Sequence, residues 1–131
     1  MTRHDEAVEY AIEGIKHHPS SGWLLRQLGG DLIALGRLDE AENALNKGLV
    51  FESEVPWLWR QFALLHRKRK NYSEEAEALG QLVVLGKADS NDLNLLGIAY
   101  KNHGNFAKAL EYYRRSALQG LRAIRRLKTM S

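Results

Sequence analysis

LRQLGGDLIALGRLDEAENAL, residues 25–45, and LNLLGIAYKNHGNFAKALEYY, residues 93–113, decide the fold of this chain. Each opens with apolar residues three and four apart, Leu25, Leu28, Leu32 and Leu93, Leu96, Tyr100. That spacing puts them on one face of a helix. A break follows at Leu35-Gly36-Arg37 and at His103-Gly104-Asn105, where glycine suits the left-handed conformation that ends a helix. A second apolar series then starts, Ala41, Ala44, Leu45, Gly48, Leu49 in one stretch and Ala109, Leu110, Tyr113, Ala117 in the other. Two helices joined by a tight turn is the reading of each.

The two stretches belong to one period of 34 residues. Stepping by that period gives Leu25, Trp59, Leu93; Leu28, Phe62, Leu96; Gly29, Ala63, Gly97; and Leu38, Tyr72, Phe106. The middle unit breaks at Arg69-Lys70-Asn71, and Pro56 suits the first turn of its first helix, where a missing N–H costs nothing. Small residues at 29, 63 and 97 are expected where the two helices of a unit cross, with Ala41 and Ala109 facing them from the second helix. Glu75 stands in that alanine column. An unpaired carboxylate is costly to bury, so it is expected to point outward or, failing that, to reach a cation such as His66.

Leu-x-x-Leu-Gly, then Leu or an aromatic, then Gly-x-Leu/Phe-x-x-Ala resembles the tetratricopeptide repeat, and Pro19 occupies that family's usual proline place between units. The resemblance covers residues 5 to about 120. It implies an all-α fold, a right-handed α-solenoid of antiparallel helix pairs. The expected organisation is a single array over 1–131: a half repeat at 5–21, repeats at 22–55, 56–89 and 90–120, and a C-terminal cap helix or tail at 121–131. Residues 5–18 read as a second helix without its first, which leaves the face with Ala7, Val8, Ala11, Ile12 and Ile15 open to self-association.

Composition narrows the function. There are no cysteines, so disulfide and thiolate chemistry are excluded. The formal charge is only +3, but Arg67-Lys68-Arg69-Lys70, Arg114-Arg115 and Arg122, Arg125, Arg126, Lys128 are concentrated basic groups. They read as a nucleic-acid patch or as solvated helix ends, the latter favoured by the helix dipole. No apolar stretch approaches the roughly 20 residues that cross a bilayer. The first ten residues hold Asp5, Glu6 and Glu9 and no apolar core of a signal peptide, so the expected location is cytoplasmic. Neither phosphate loop, Gly-x-x-x-x-Gly-Lys-Ser/Thr or Gly-x-Gly-x-x-Gly, occurs. His17 and His18 are adjacent and diverge on a helix, a poor chelate. Catalytic residues, metal and cofactor are all expected to be absent.

The resemblance implies a concave groove lined by the first helices. Its expected lining is Trp23, Arg26 and Gly30; Trp57, Arg60, Leu64, Arg67 and Lys68; and Asn91, Asn94, Ile98, Lys101 and Asn102. Trp-Leu-x-Arg-Gln occurs at 23–27 and again at 57–61. Tryptophan and arginine are the usual energetic anchors of interfaces, and the repeated pair implies an extended partner, an acidic and apolar protein segment. The tryptophans could instead pack on a preceding helix. Removal of Arg26 and Arg60 is expected to weaken binding and leave stability nearly unchanged. The family's two-lysine carboxylate clamp is not matched, because Arg26, Gly30, Gln61, Asn91 and Leu95 stand at its places. A protein-binding scaffold is therefore the expected function. A helical-repeat RNA binder and a non-catalytic part of a larger enzyme or assembly protein are the alternatives.

Overall fold

The computed structural model describes residues 2–130. Among these residues there are seven α-helices and no strand: α1 (Arg3–His17), α2 (Gly22–Ala34), α3 (Leu38–Phe51), α4 (Pro56–Lys68), α5 (Tyr72–Val84), α6 (Ser90–Asn102) and α7 (Phe106–Met130). The first helices of the pairs begin at Gly22, Pro56 and Ser90, and the second at Leu38, Tyr72 and Phe106, each step being 34 residues. The chain forms two compact units, one up to Arg69 and one from Lys70 onward.

In the first unit, Thr2 caps α1: its hydroxyl accepts from Asp5 N–H at 3.1 Å, and the Asp5 carboxylate accepts from Thr2 N–H at 3.0 Å. The Thr2 hydroxyl also donates to the Asp5 carboxylate, at 2.7 Å, and this bond first and the Thr2 N–H second hold the Asp5 carboxyl below its usual range. α1 packs on α2 through Val8 and Ala11, both buried. α2 and α3 are antiparallel, since Gly22 at the start of α2 lies beneath Glu52, just past the end of α3. They cross at Gly29, where an added Cβ would sit 2.5 Å from Leu45 Cδ2. The absent side chain is what lets Leu45 become wholly buried there. Pro56 is the first residue of α4, which packs on both α2 and α3. Arg69, at the end of α4, donates to Glu42 and Asp39 of α3 at 2.6 and 2.5 Å.

In the second unit, the Asp89 side chain accepts from Asp92 N–H at 2.8 Å and Asp92 returns the bond at 2.9 Å, starting α6. α6 crosses α7 at Gly97, where an added Cβ would meet the Tyr113 ring at 2.8 Å and the Ala109 carbonyl oxygen at 3.2 Å. The Ser116 hydroxyl donates to Ser90 O at 2.7 Å and Gln119 Nε2 donates to Ala88 O at 3.1 Å, which fastens α7 to the start of α6.

The turn within each pair explains the sequence breaks. Gly36 N–H bonds to Ile33 O and Arg37 N–H to Leu32 O, both at 2.9 Å, and Gly36 has φ +78°. Gly104 and Asn105 repeat the pattern onto Lys101 and Tyr100, with φ +87° at Gly104. These are the crossed bonds that close a helix C-terminus on a left-handed residue. In the same column the middle turn places Lys70 at φ 60°, a conformation that costs a side-chain-bearing residue roughly 1–2 kcal/mol.

Two sequence expectations change. The stretch 121–130, expected to be a separate cap helix or tail, continues α7 through Gly120 without a break. A lone glycine inside a run of good helix formers, here Ala117, Leu118 and Gln119 before it and Leu121 and Arg122 after, costs only about 1 kcal/mol. Glu75 does not point outward: it is 2% exposed. It lies one turn before Leu79, itself 1% exposed, so the helical register carries the carboxylate inward where the other units place alanine.

Candidate partner-binding face

α2 and α4 are neighbours in the first unit, and each presents the same side-chain row. In α2, inward positions are taken by Leu25, Gly29, Leu32 and Ile33. Trp23, Arg26 and Gly30 follow at spacings of three and four on an adjoining face. In α4, Leu58, Phe62 and Leu65 point inward, and Trp57, Arg60, Leu64 and Arg67 form the matching row. Trp23 is 56% exposed and Trp57 44%, while Leu25 and Leu58 beside them are 3% and 0% exposed. The indoles are thus surface groups, not the core side chains of the alternative reading. Trp59, in the column occupied by Leu25 and Leu93, is half-buried; its Nε1–H donates to Ser53 O at 2.8 Å and its ring centroid lies 5.7 Å from that of Phe62.

Gly30 and Gln61 bring the two rows together. The Gln61 side chain lies where a Cβ on Gly30 would be only 3.5 Å from its Oε1. Gln61 is buried, and that oxygen has no hydrogen-bond partner. Arg26 is the main departure from expectation. Its Nε donates to Glu52 Oε2 at 2.6 Å, and the two side chains are 17% and 19% exposed. Arg26 is therefore a paired, largely covered cation, and its removal would strand Glu52, so the expectation of unchanged stability does not hold for it. No repeat column marks this pair, because Glu52 lies 26 residues away in the loop after α3. Arg60 and Arg67 are half-buried and engaged with neighbouring groups, and Lys68 is exposed at the end of α4.

In the second unit, Asn91, Asn94, Ile98 and Lys101 share one exposed face of α6. The side chains proposed from sequence therefore fall into two sets, one in each unit. Sequence reading also missed a cleft of about 450 Å3 in the first unit, floored by Leu25, Leu28 and Leu32 and walled by Ile12, Ile15 and Ala44. Leu28 at its floor is half-buried, whereas Phe62 and Leu96 in the same column are buried, a difference that the repeat pattern does not mark. Among the described residues no group of three or more His, Asp or Glu side chains is placed to hold a metal ion, and no helix is long and apolar enough to cross a membrane.

Paired helices on a fixed period, closed by the same turn and crossing at small residues, define a TPR-like helical-repeat fold. A TPR repeat-containing protein of Dictyostelium discoideum is 26% identical over 119 residues, which cover 86% of this chain and 45% of that protein. A crystal structure of MamA superposes with a TM-score of 0.79 at 20% identity, covering 86% of this chain and 66% of that one. A second MamA crystal structure gives 0.86 at 14% identity, covering 93% and 67%. No protein-family model matches the chain. The chain spans less than half the length of the curated relative. MamA is TPR-like, and the fold of this chain is the all-α, TPR-like fold.

Proposed function

We propose that this chain is a protein-interaction scaffold whose first unit grips an extended, acidic and apolar segment of a partner across Trp23, Arg26, Trp57 and Arg60. The observation that carries the reading is the pair of exposed indoles in equivalent positions of two neighbouring helices. Large aromatic side chains left in water beside arginines are the anchors that interfaces use. Arg26 is already neutralised by Glu52, so the preference for an acidic ligand rests on Arg60, Arg67 and Lys68 beside the indoles. Asn91, Asn94 and Lys101 on α6 offer a second, polar surface in the other unit; Arg67 and Lys68 add positive charge to the first.

Tryptophan fluorescence tests this directly. A panel of extended peptides alternating Glu or Asp with Leu or Phe is titrated against the protein, beside neutral, basic and oligonucleotide probes. Acidic–apolar peptides are expected to bind best. Trp57→Ala and Arg60→Ala should each weaken binding several-fold, a charged hydrogen bond being worth about 1.5–3 kcal/mol. Tighter, steeply salt-dependent binding of the oligonucleotide would favour the RNA reading instead. Peptide affinities unchanged by both substitutions would end the proposal.

A second reading, self-association through α1, is favoured by a separate observation. Ile12 stands 41% exposed on α1 and lines the cleft with Ile15.

A further inference from the structure

α1 and α7 are opposites in charge and alike in leaving apolar surface uncovered. On α1, Glu6, Glu9 and Glu13 follow at spacings of three and four, all exposed, so they form one acidic stripe with Ile12 beside it. Thr2 already engages Asp5, whereas Glu13 is held only loosely, at 3.4 Å from Lys16 and 3.5 Å from His17. α7 carries seven Lys and Arg side chains against the single Glu111. Leu110, Leu121, Ile124 and Leu127 on it are 49–69% exposed, and every residue from 121 to 129 is exposed. Stepping at 100° per residue, Leu110, Leu121 and Ile124 share one side, with Arg114 and Arg125 along its edge, Arg122 beyond them and Arg126 on the far side. A contiguous apolar strip of this kind marks an interaction surface.

The cations select the occupant. An apolar strip edged by arginines calls for a partner that is apolar and acidic, and α1 with its adjoining cleft is such a surface on this same chain. Ile12 and Ile15 of α1 line the cleft, and Leu25, Leu28 and Leu32 floor it. We infer that α7 of one copy docks on α1 and the cleft of a second copy, with Arg122 and Arg125 against Glu9 and Glu13 and the apolar strip over the cleft. The inference rests on the reading of α1 as a self-association surface and adds what meets it. The two surfaces differ, so the contact is heterologous and propagates head to tail into rings or chains.

Sedimentation velocity from micromolar to millimolar concentration tests it, with circular dichroism to confirm that each variant folds. Wild type should associate progressively, and less so at high salt. Glu9→Lys with Glu13→Lys, and separately Arg122→Glu with Arg125→Glu, should each lower the association constant by at least roughly tenfold, which is about 1.4 kcal/mol. Mixing the two reversed proteins should restore association, because each supplies the complement the other needs. No recovery on mixing would overturn the pairing of α7 with α1. Association abolished by the α1 reversal but untouched by the α7 reversal would keep α1 as the surface and remove α7 from it. A strict monomer at every concentration would sink both readings. Binding of that monomer to vesicles of anionic phospholipid, and not to neutral ones, would assign α7 to a lipid surface instead.

Discussion

Gly29→Ala and Gly48→Ala, made separately, probe the helix crossing on which the first unit depends. Both glycines are buried, lie inside helices and belong to the same unit. Each therefore gains a similar helix propensity from one methyl group, about 0.8–1 kcal/mol. At Gly48 the new carbon would lie 3.5 Å from Leu25 Cβ and 3.6 Å from Leu58 Cδ1, ordinary contact, so this variant should be more stable than wild type. At Gly29 the same carbon would lie 2.5 Å from Leu45 Cδ2 and 2.8 Å from Cγ. Leu45 is 0% exposed, so it can yield only by displacing the neighbours it packs against. Overpacking of this kind costs about 1–3 kcal/mol, enough to cancel the propensity gain or exceed it by up to about 2 kcal/mol. The gap between the two variants should thus be about 1–3 kcal/mol. Urea denaturation followed by circular dichroism measures it, provided the m-values agree. Equal midpoints for the two variants would mean that α2 and α3 are slack at Gly29 and that the reasoning from small residues to helix crossing is wrong.

Lys70→Gly should raise stability by about 1 kcal/mol, because it relieves a left-handed lysine at a cost in backbone entropy; thermal melting checks it, and Gly104→Ala should do the reverse. Arg26→Ala and Glu52→Ala should each destabilise, and the double variant should lose less than their sum, with a coupling of roughly 1–3 kcal/mol for a charge-assisted bond at partly buried groups. Additive losses in that cycle would make the contact incidental. Arg37 donates to both Glu40 oxygens at 2.9 and 2.6 Å, and this holds the Glu40 carboxyl below the usual glutamate range. Its contribution to stability is therefore complete above the ordinary glutamate pKa and is lost as pH falls through the lowered folded value. Carboxyl NMR titration should show Glu40 moving back up in Arg37→Gln, and an unmoved titration would assign the lowering to another cause.

The helix pairs were legible because packing leaves little choice at their columns. Gly29 and Gly97 are each pressed by one large side chain, and Leu25, Leu45, Leu93 and Leu96 are nearly sealed from water. Polarity misled at Glu75, where helical register prevailed over the preference of a carboxylate for water. Gly120 was ambiguous in principle, since a single glycine ends a helix only when the chain turns left-handed there, and α7 does not turn. Exposure of Trp23 and Trp57 was one of the two readings that their place in the repeat left open, packing on a preceding helix being the other. The Glu52 partner of Arg26 was not legible, because a contact between a helix and a distant loop leaves no periodic trace.

The turns within pairs have a consequence for how such a chain tolerates changes of length. Only three residues, 35–37 and 103–105, separate α2 from α3 and α6 from α7. One residue inserted into either helix of a pair would rotate everything after it by about 100° and carry the buried columns into solvent. The links between pairs behave differently. α3 has 14 residues and is followed by a link of four, 52–55, whereas α5 has 13 and is followed by a link of five, 85–89. The link absorbs the residue the helix gives up, and the next helix still begins on step. Natural insertions and deletions should therefore gather in the links between pairs and spare the glycine turns, so that the constant period of 34 residues is enforced at one kind of joint and repaired at the other.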